Sequence, residues 1–170
     1  DALVSEALAL TLTERVVERL LHDCCYAYRR RRGPWRAVHA LYMRVSAQRP
    51  FLVVLDLHKF FYSMKPDAVA EQILRVTDDP AMAMYMWLRF TSAVEADGVI
   101  RPASGVWPGD PLSGMLANLY LVEQDREIAT LASGYLRYSD DLCLVAESRS
   151  QAEDAVTRRV MQLEIEEEAL

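Results

Sequence analysis

The sequence predicts an α+β chain in which a small antiparallel sheet packs on helices. Gly134 to Glu147 (GYLRYSDDLCLVAE) holds two β-prone runs with Ser139, Asp140 and Asp141 pinched between them, which predicts a hairpin with a charged tip. Phe51 to Asp56 (FLVVLD) is a short continuous apolar run rich in Val and Leu, as expected of a strand buried on both faces. Most of the remaining chain carries its apolar residues at helical spacing.

Composition bounds the class before any motif is weighed. With 170 residues, 52% of them hydrophobic, the chain is long enough for one domain, or two lobes of one, with a real core. The net charge of −6 argues against a surface that is one nucleic-acid footprint. Charge is unevenly spread, however: Glu164, Glu166, Glu167 and Glu168 gather the acid, while Arg29, Arg30, Arg31, Arg32 and Arg36 form one dense basic patch. Cys24, Cys25 and Cys143 have no metal-ligand spacing, which fits reduced thiols in a cytoplasmic setting. No apolar run of transmembrane length and no leader pattern is present, so no membrane partner is expected. The first residue is Asp rather than Met, and the chain reads as a fragment.

Taken in order, residues 2 to 21 predict one or two helices with Leu3, Ala7, Leu10, Val17 and Leu21 near one face. After the arginines, Gly33-Pro34 interrupts, and a helix from Trp35 to about Ala47 is expected to bury Val38, Leu41, Tyr42 and Val45. Four consecutive arginines serve equally well as a solvated face or as a phosphate grip. Pro50 precedes the FLVVLD strand, and Pro66 opens a helix to about Val76. Residues 81 to 96 form a Met-rich helix with Met82, Tyr85, Met86 and Phe90 as core, ended by Gly98. A short extended piece follows. Asp110 as N-cap and Pro111 at the first helical position predict one long helix to about Leu131, with Gly105 and Gly109 leaving the preceding loop open to a ligand. Ser150 to Leu170 is an acidic amphipathic helix.

The chemistry-bearing residues are Asp56 at the end of the strand and the Asp140–Asp141 pair at the hairpin tip. Each has a plain alternative: Asp56 capping the next turn, the pair making a solvated turn. Lys59 and Arg137 lie near these acids in sequence, and suit either phosphate neutralisation or pairing with carboxylates. His22, His39 and His58 have no partner pattern and read as structural.

Three segments in this order resemble the conserved blocks of the reverse transcriptase family. VVLDLHKFFYSM resembles motif A, with Asp56 as the metal-binding acid and Phe61 as the aromatic five residues on. SGVWPGDPLSGMLANLYL resembles motif B, and YLRYSDD resembles motif C with its acid pair. Upstream, YAYRRRRGPWRAV is similar to a fingers segment of bacterial group II intron and related enzymes. The resemblance covers nearly the whole chain and implies a polymerase palm with a helical part of the fingers. Residues 1–50 are then the fingers side and 51–170 the palm core, part of 77–105 returning to the fingers, with the thumb absent. Two departures stand out. Trp107-Pro108-Gly109 replaces the usual Pro-Gln-Gly, so Pro108 sits where the family's nucleotide-touching glutamine is expected. The basic block that opens the fingers has no match.

What the resemblance implies is an RNA-directed DNA polymerase adding dNTPs to a DNA or RNA primer on an RNA template. Asp56, Asp140 and Asp141 are the catalytic and metal-binding acids, for two Mg²⁺ ions or Mn²⁺. Phe61 is a steric gate against a 2′-OH, with Leu57, Lys59 and Gly109 beside the nucleotide. Arg29 to Arg32 and Arg36 grip nucleic-acid phosphates. Intron, retron, diversity-generating, CRISPR-associated and phage-defence enzymes share these blocks, which points to a bacterial mobile element or antiviral defence. An RNA-directed RNA polymerase shares the palm and the acid pair. A non-catalytic nucleic-acid-binding module on a decayed palm is the rival of another class.

Overall fold

A computed structural model describes residues 2–45, 51–92, 94–96, 99–101, 105–132, 134–154 and 157. The chain divides into two compact units that interleave along the sequence: Asp1–His22 with His58–Glu123, and Asp23–Leu57 with Gln124–Leu170.

The first unit is mainly helical. Helix α1 (Ala2–Leu12) runs through a π-helical turn (Thr13–Val17) into the short α2 (Glu18–Leu20). After His58 come α4 (Phe60–Ser63), α5 (Pro66–Thr77) and α6 (Pro80–Thr91). Pro66 and Pro80 both stand in the first turn, where a missing N–H costs nothing. Asp79 caps α6 by accepting from the Ala81 and Met82 N–H groups. Helices α5 and α6 pack together, burying Val69 and Ile73 with Ala83, Met86 and Phe90. Burial of Met86 and Phe90 agrees with the sequence. The helix stops at Thr91, however, and Val94–Ala96 (β2) pairs antiparallel with Val99–Arg101 (β3). The β-branched Val99 and Ile100, opposite Ala96 and Glu95, supply a partner that helical periodicity alone does not show.

The expected long helix after Asp110 is two helices, α7 (Ser113–Tyr120) and α8 (Val122–Leu131), the second belonging to the other unit from Gln124 onward. Nor is Asp110 its N-cap. Its carboxylate accepts from the Leu112 N–H at 2.9 Å and is paired with Arg89 of α6, so a turn intervenes before Ser113.

In the second unit β1 (Phe51–Asp56), β5 (Asp141–Ala146) and β4 (Leu136–Tyr138) form an antiparallel sheet in the order β1-β5-β4. Cys25 forms a parallel bridge to Arg137 beside β4, with Tyr26 N–H donating to the Arg137 carbonyl and Arg137 N–H to the Cys24 carbonyl. Register opposes Leu55 to Leu142 and Val53 to Leu144 on one face, and these pack with Cys24, Tyr135 and Ile128 of α8. The other face carries Val54 opposite Cys143 and Asp56 opposite Asp141. The expectation that FLVVLD is buried on both faces is therefore corrected. Val54 is 59% exposed, because the cluster around Ile128 of α8 covers only the face that carries Val53 and Leu55.

Helix α3 (Pro34–Arg44) lies against β4 and β5 and buries Ala37. The expected burial of Val38, Tyr42 and Val45 is overturned: all three are exposed, Tyr42 to 75%. The close approach of a helix to a sheet selects the small Ala37 for the contact and turns the bulky residues outward. Ala47, Pro50, Gly98 and residues 158–170 lie outside the described residues.

Candidate active site

The acids at the sheet end are aligned by the ladder itself. Asp56 is the last residue of β1 and Asp141 the first of β5, and they are direct partners across the strands. The hairpin between β4 and β5 closes through two residues, Ser139 and Asp140, since Tyr138 pairs with Asp141. Ser139 takes a φ of 60°, a left-handed conformation matched to the twist of a two-residue hairpin. The Asp140 carbonyl accepts from Leu57 N–H at 3.2 Å, extending the ladder one step beyond Asp56. Asp56, Leu57, Asp140 and Asp141 are thus held together, as the sequence suggested.

Their electrostatics follow from proximity. Asp141 is held above the usual carboxylate range, first by partial burial and then by the negative charge of Asp140 and Asp56. Cys143 two residues on is pushed up by burial and by Asp141. Three carboxylates that offer hard oxygen ligands and together raise the proton affinity of Asp141 fit a divalent cation in donor chemistry and charge. They are not a ready-made cage: among the described residues no group of three or more His, Cys, Asp or Glu is placed to hold a metal ion.

The turn is held from behind by a buried network that sequence patterning did not reveal. Arg137, with 0% of its surface exposed, donates from Nε and Nη2 to both carboxylate oxygens of Asp125 on α8, at 2.7–3.1 Å. Tyr135 donates its hydroxyl to the same carboxylate at 2.8 Å, and Arg137 Nη1 donates to the Ser139 carbonyl at 2.9 Å. Burial lowers the proton affinity of Arg137, but the bonds and charge of Asp125 more than reverse this. Burial and the Asp125 charge push the Tyr135 hydroxyl and the Cys24 thiol well up. Of the two roles open to Arg137 in the sequence, pairing with a carboxylate is the one observed, with a partner twelve residues away.

The basic loop splits into two kinds of residue. Arg29 donates to the Cys25 carbonyl at 3.1 Å; Arg32 pairs with Asp23 and lies over the Tyr26 ring at 4.9 Å. These two fold the loop onto the strand-like Cys25 segment. Arg30, Arg31 and Arg36 are exposed on the surface.

Phe61, Lys59 and Gly109 belong to the first unit. Phe61 is half-buried in α4, its ring 5.6 Å from that of Phe60, while Lys59 precedes the helix with a φ of 50°. Gly105 was expected to leave room for a ligand, and the structure corrects this. A Cβ there would stand 2.4 Å from the Tyr62 carbonyl oxygen and 2.5 Å from that of Phe61, and Val106 N–H donates to the Phe61 carbonyl at 2.7 Å. The loop is docked on the backbone of the aromatic helix. Gly109, with a φ of 91°, does face open space. Arg89 and Asp110, whose pairing anchors the far end of this loop, carried no sequence signal because they lie 21 residues apart.

The site thus consists of an acidic end on a three-stranded antiparallel sheet backed by helices. Residues 4–164 match the family model described as reverse transcriptase (RNA-dependent DNA polymerase), and the chain belongs to that family. It is 28% identical over 130 residues to the retrovirus-related Pol polyprotein from type-1 retrotransposable element R2 of Nasonia vitripennis, a match covering 68% of this chain and 13% of that protein. Among solved structures it is similar to an apo telomerase from Candida tropicalis truncated from its C-terminal domain, at a TM-score of 0.46 and 10% identity. That similarity covers 91% of this chain and 36% of the other. The curated relative is eukaryotic, so the match gives no support to the bacterial origin suggested by the sequence. Among the described residues no helix is long and apolar enough to cross a membrane.

Proposed function

We propose that this chain is the catalytic core of an RNA-directed DNA polymerase, joining dNTPs to a primer 3′-OH on an RNA template. The observation that carries the proposal is the register opposing Asp56 to Asp141 with Asp140 on the adjoining turn, where partial burial and then the charges of Asp140 and Asp56 raise Asp141. Such an arrangement costs stability unless cations occupy it. Asp56, Asp140 and Asp141 are the residues that hold two Mg²⁺ or Mn²⁺ ions. Bound there, divalent cations supply charge stabilisation to the attacking and leaving oxygens of the phosphoryl transfer.

The protein's own residues do the rest. Phe61 excludes a 2′-OH, selecting deoxynucleotides, while Leu57, Lys59 and Gly109 line the nucleotide, the glycine giving an open approach for phosphate. Arg30, Arg31 and Arg36 present charge to nucleic-acid phosphates; Arg29 and Arg32 shape the loop that carries them and add to its potential. The natural setting in this proposal is a mobile element, in keeping with the retrotransposon relative.

The test is primer extension by the full-length parent protein on an RNA template. Extension with dNTPs that disappears in Asp140→Ala is the expected result. Extension that survives Asp140→Ala overturns the assignment, and a preference for NTPs over dNTPs makes the enzyme an RNA polymerase instead.

A further inference from the structure

Arg137 is the largest fully buried side chain among the described residues, and the phosphoryl-transfer chemistry proposed above gives it no task. Its backbone is fixed on one side by β5 and on the other by the Cys24–Tyr26 segment. Its guanidinium is fixed by Asp125, which is itself held by Tyr135. Nη2 also lies 3.3 Å from the Cys25 sulfur. The one arm pointing elsewhere, Nη1, donates to the carbonyl of Ser139.

That carbonyl belongs to the turn residue immediately before the acid pair. Ser139 sits at a φ of 60°, where a residue with a Cβ stays only when its surroundings hold it. Two bonds do so: Arg137 to its carbonyl, and Tyr28 through a 3.0 Å hydroxyl contact to its Oγ. The next carbonyl, of Asp140, is then taken by Leu57 N–H, which ties the turn to the residue following Asp56. A buried ion pair is not needed for stability, since well-packed apolar residues commonly serve as well. Only the planar fork of Arg, however, can meet a bidentate carboxylate and a third acceptor at once.

We propose that Arg137, oriented by Asp125, is a positioning residue that sets the Ser139 turn and thereby the direction in which Asp140 and Asp141 present their carboxylates to cations. The inference rests on the polymerase proposal for its purpose, but the geometry it concerns is measurable without catalysis.

The test uses the full-length parent and three variants: Arg137→Lys, the apolar replacement Arg137→Met/Asp125→Leu/Tyr135→Phe, and Tyr28→Phe. The first keeps the charge, the second keeps the packing, and the third removes the other tie without touching the core. Folding is followed by circular dichroism and Tm. Hydrogen exchange at the Leu57 amide reports on the turn in metal-free protein, Mn²⁺ binding by electron paramagnetic resonance reports on the acids, and single-nucleotide addition gives kcat and KM.

In folded Arg137→Lys and in the apolar replacement, exchange at Leu57 accelerates, and Mn²⁺ affinity and kcat fall by about 10–100-fold. At saturating Mn²⁺, KM for dNTP stays within about twofold of wild type, since Phe61, Lys59 and Gly109 are untouched. Tyr28→Phe moves exchange and Mn²⁺ affinity in the same direction by about 2–10-fold, the range of one hydrogen bond. A drop in Tm alone, with Leu57 exchange and Mn²⁺ affinity unchanged in the folded variants, overturns the proposal. If the core variants do not fold, an unchanged Tyr28→Phe overturns it by itself and a shifted one supports it. Failure of the polymerase proposal has a different signature: wild-type protein neither extends a primer nor binds Mn²⁺, while Leu57 exchange still distinguishes the variants.

Discussion

Replacing Gly105 with alanine separates close packing from simple backbone strain. Gly105 has a φ of 69°, and a Cβ there would meet the carbonyl oxygens of Tyr62 and Phe61 and the Tyr62 carbonyl carbon, all at 2.4–2.5 Å. The left-handed conformation costs an alanine about 1–2 kcal/mol. Backbone atoms cannot swing aside as a flexible side chain does, so relief of the overlap adds about 1–3 kcal/mol. The sum, about 2–5 kcal/mol, lowers Tm by at least ~4 °C for a chain of this size. Gly109→Ala is the internal control: its φ is 91° but a Cβ there meets nothing within 4 Å, so only the strain of about 1–2 kcal/mol applies. Thermal and urea unfolding of both variants compare them directly. A Gly105→Ala protein no less stable than Gly109→Ala refutes the docking of this loop on the aromatic helix. Because Val106 N–H bonds to the Phe61 carbonyl, the same substitution also displaces Phe61 and weakens discrimination between dNTPs and NTPs.

Two further outcomes follow from the site. Phe61→Ala lowers the preference for dNTPs over NTPs by about 10–100-fold while leaving dNTP addition measurable in competition assays; unchanged discrimination removes the gate. Asp141 has its pKa raised in the folded protein by partial burial, Asp140 and Asp56, so the folded state is penalised while Asp141 is ionised and relieved as pH falls through that raised pKa. Asp141→Asn therefore raises the Tm of metal-free protein near neutral pH by roughly 1–3 °C, a gain that shrinks toward zero on acidification. Protons and cations compete for the same oxygens, so the Mn²⁺ concentration giving half occupancy rises over the same window in the wild type. A Tm difference independent of pH contradicts this assignment of the repulsion.

How far the sequence led depends on the range of the interaction. The hairpin and both of its acids were legible because β-alternation and a two-residue turn are local, and Asp56 was legible because it ends an apolar run. Their alignment needed only the antiparallel partner of β1. The pairing of Asp125 with Arg137 was not legible: one lies on a helix and the other on a strand, and a lone arginine before an acid pair reads equally well as a phosphate ligand. On α3 the bulky Val38 and Tyr42 drew the expected core to the wrong side, whereas the sheet accepts the small Ala37. Gly105 was recognisable as special but not for the right reason, since only the tertiary structure shows that backbone, and not ligand, fills the space beside it. The break between α7 and α8 likewise lacks any Pro or Gly to announce it.

The acids facing one another across β1 and β5 remain the feature on which the functional conclusion depends. Its most direct test is single-nucleotide addition by the full-length parent on an RNA template, with wild type and Asp56→Asn compared at saturating dNTP and Mg²⁺. Addition by the wild type and a loss of at least ~100-fold in Asp56→Asn with the fold intact are expected, because removing one preorganised charge partner of the transition state costs that much or more. Addition by Asp56→Asn at the wild-type rate contradicts the functional conclusion.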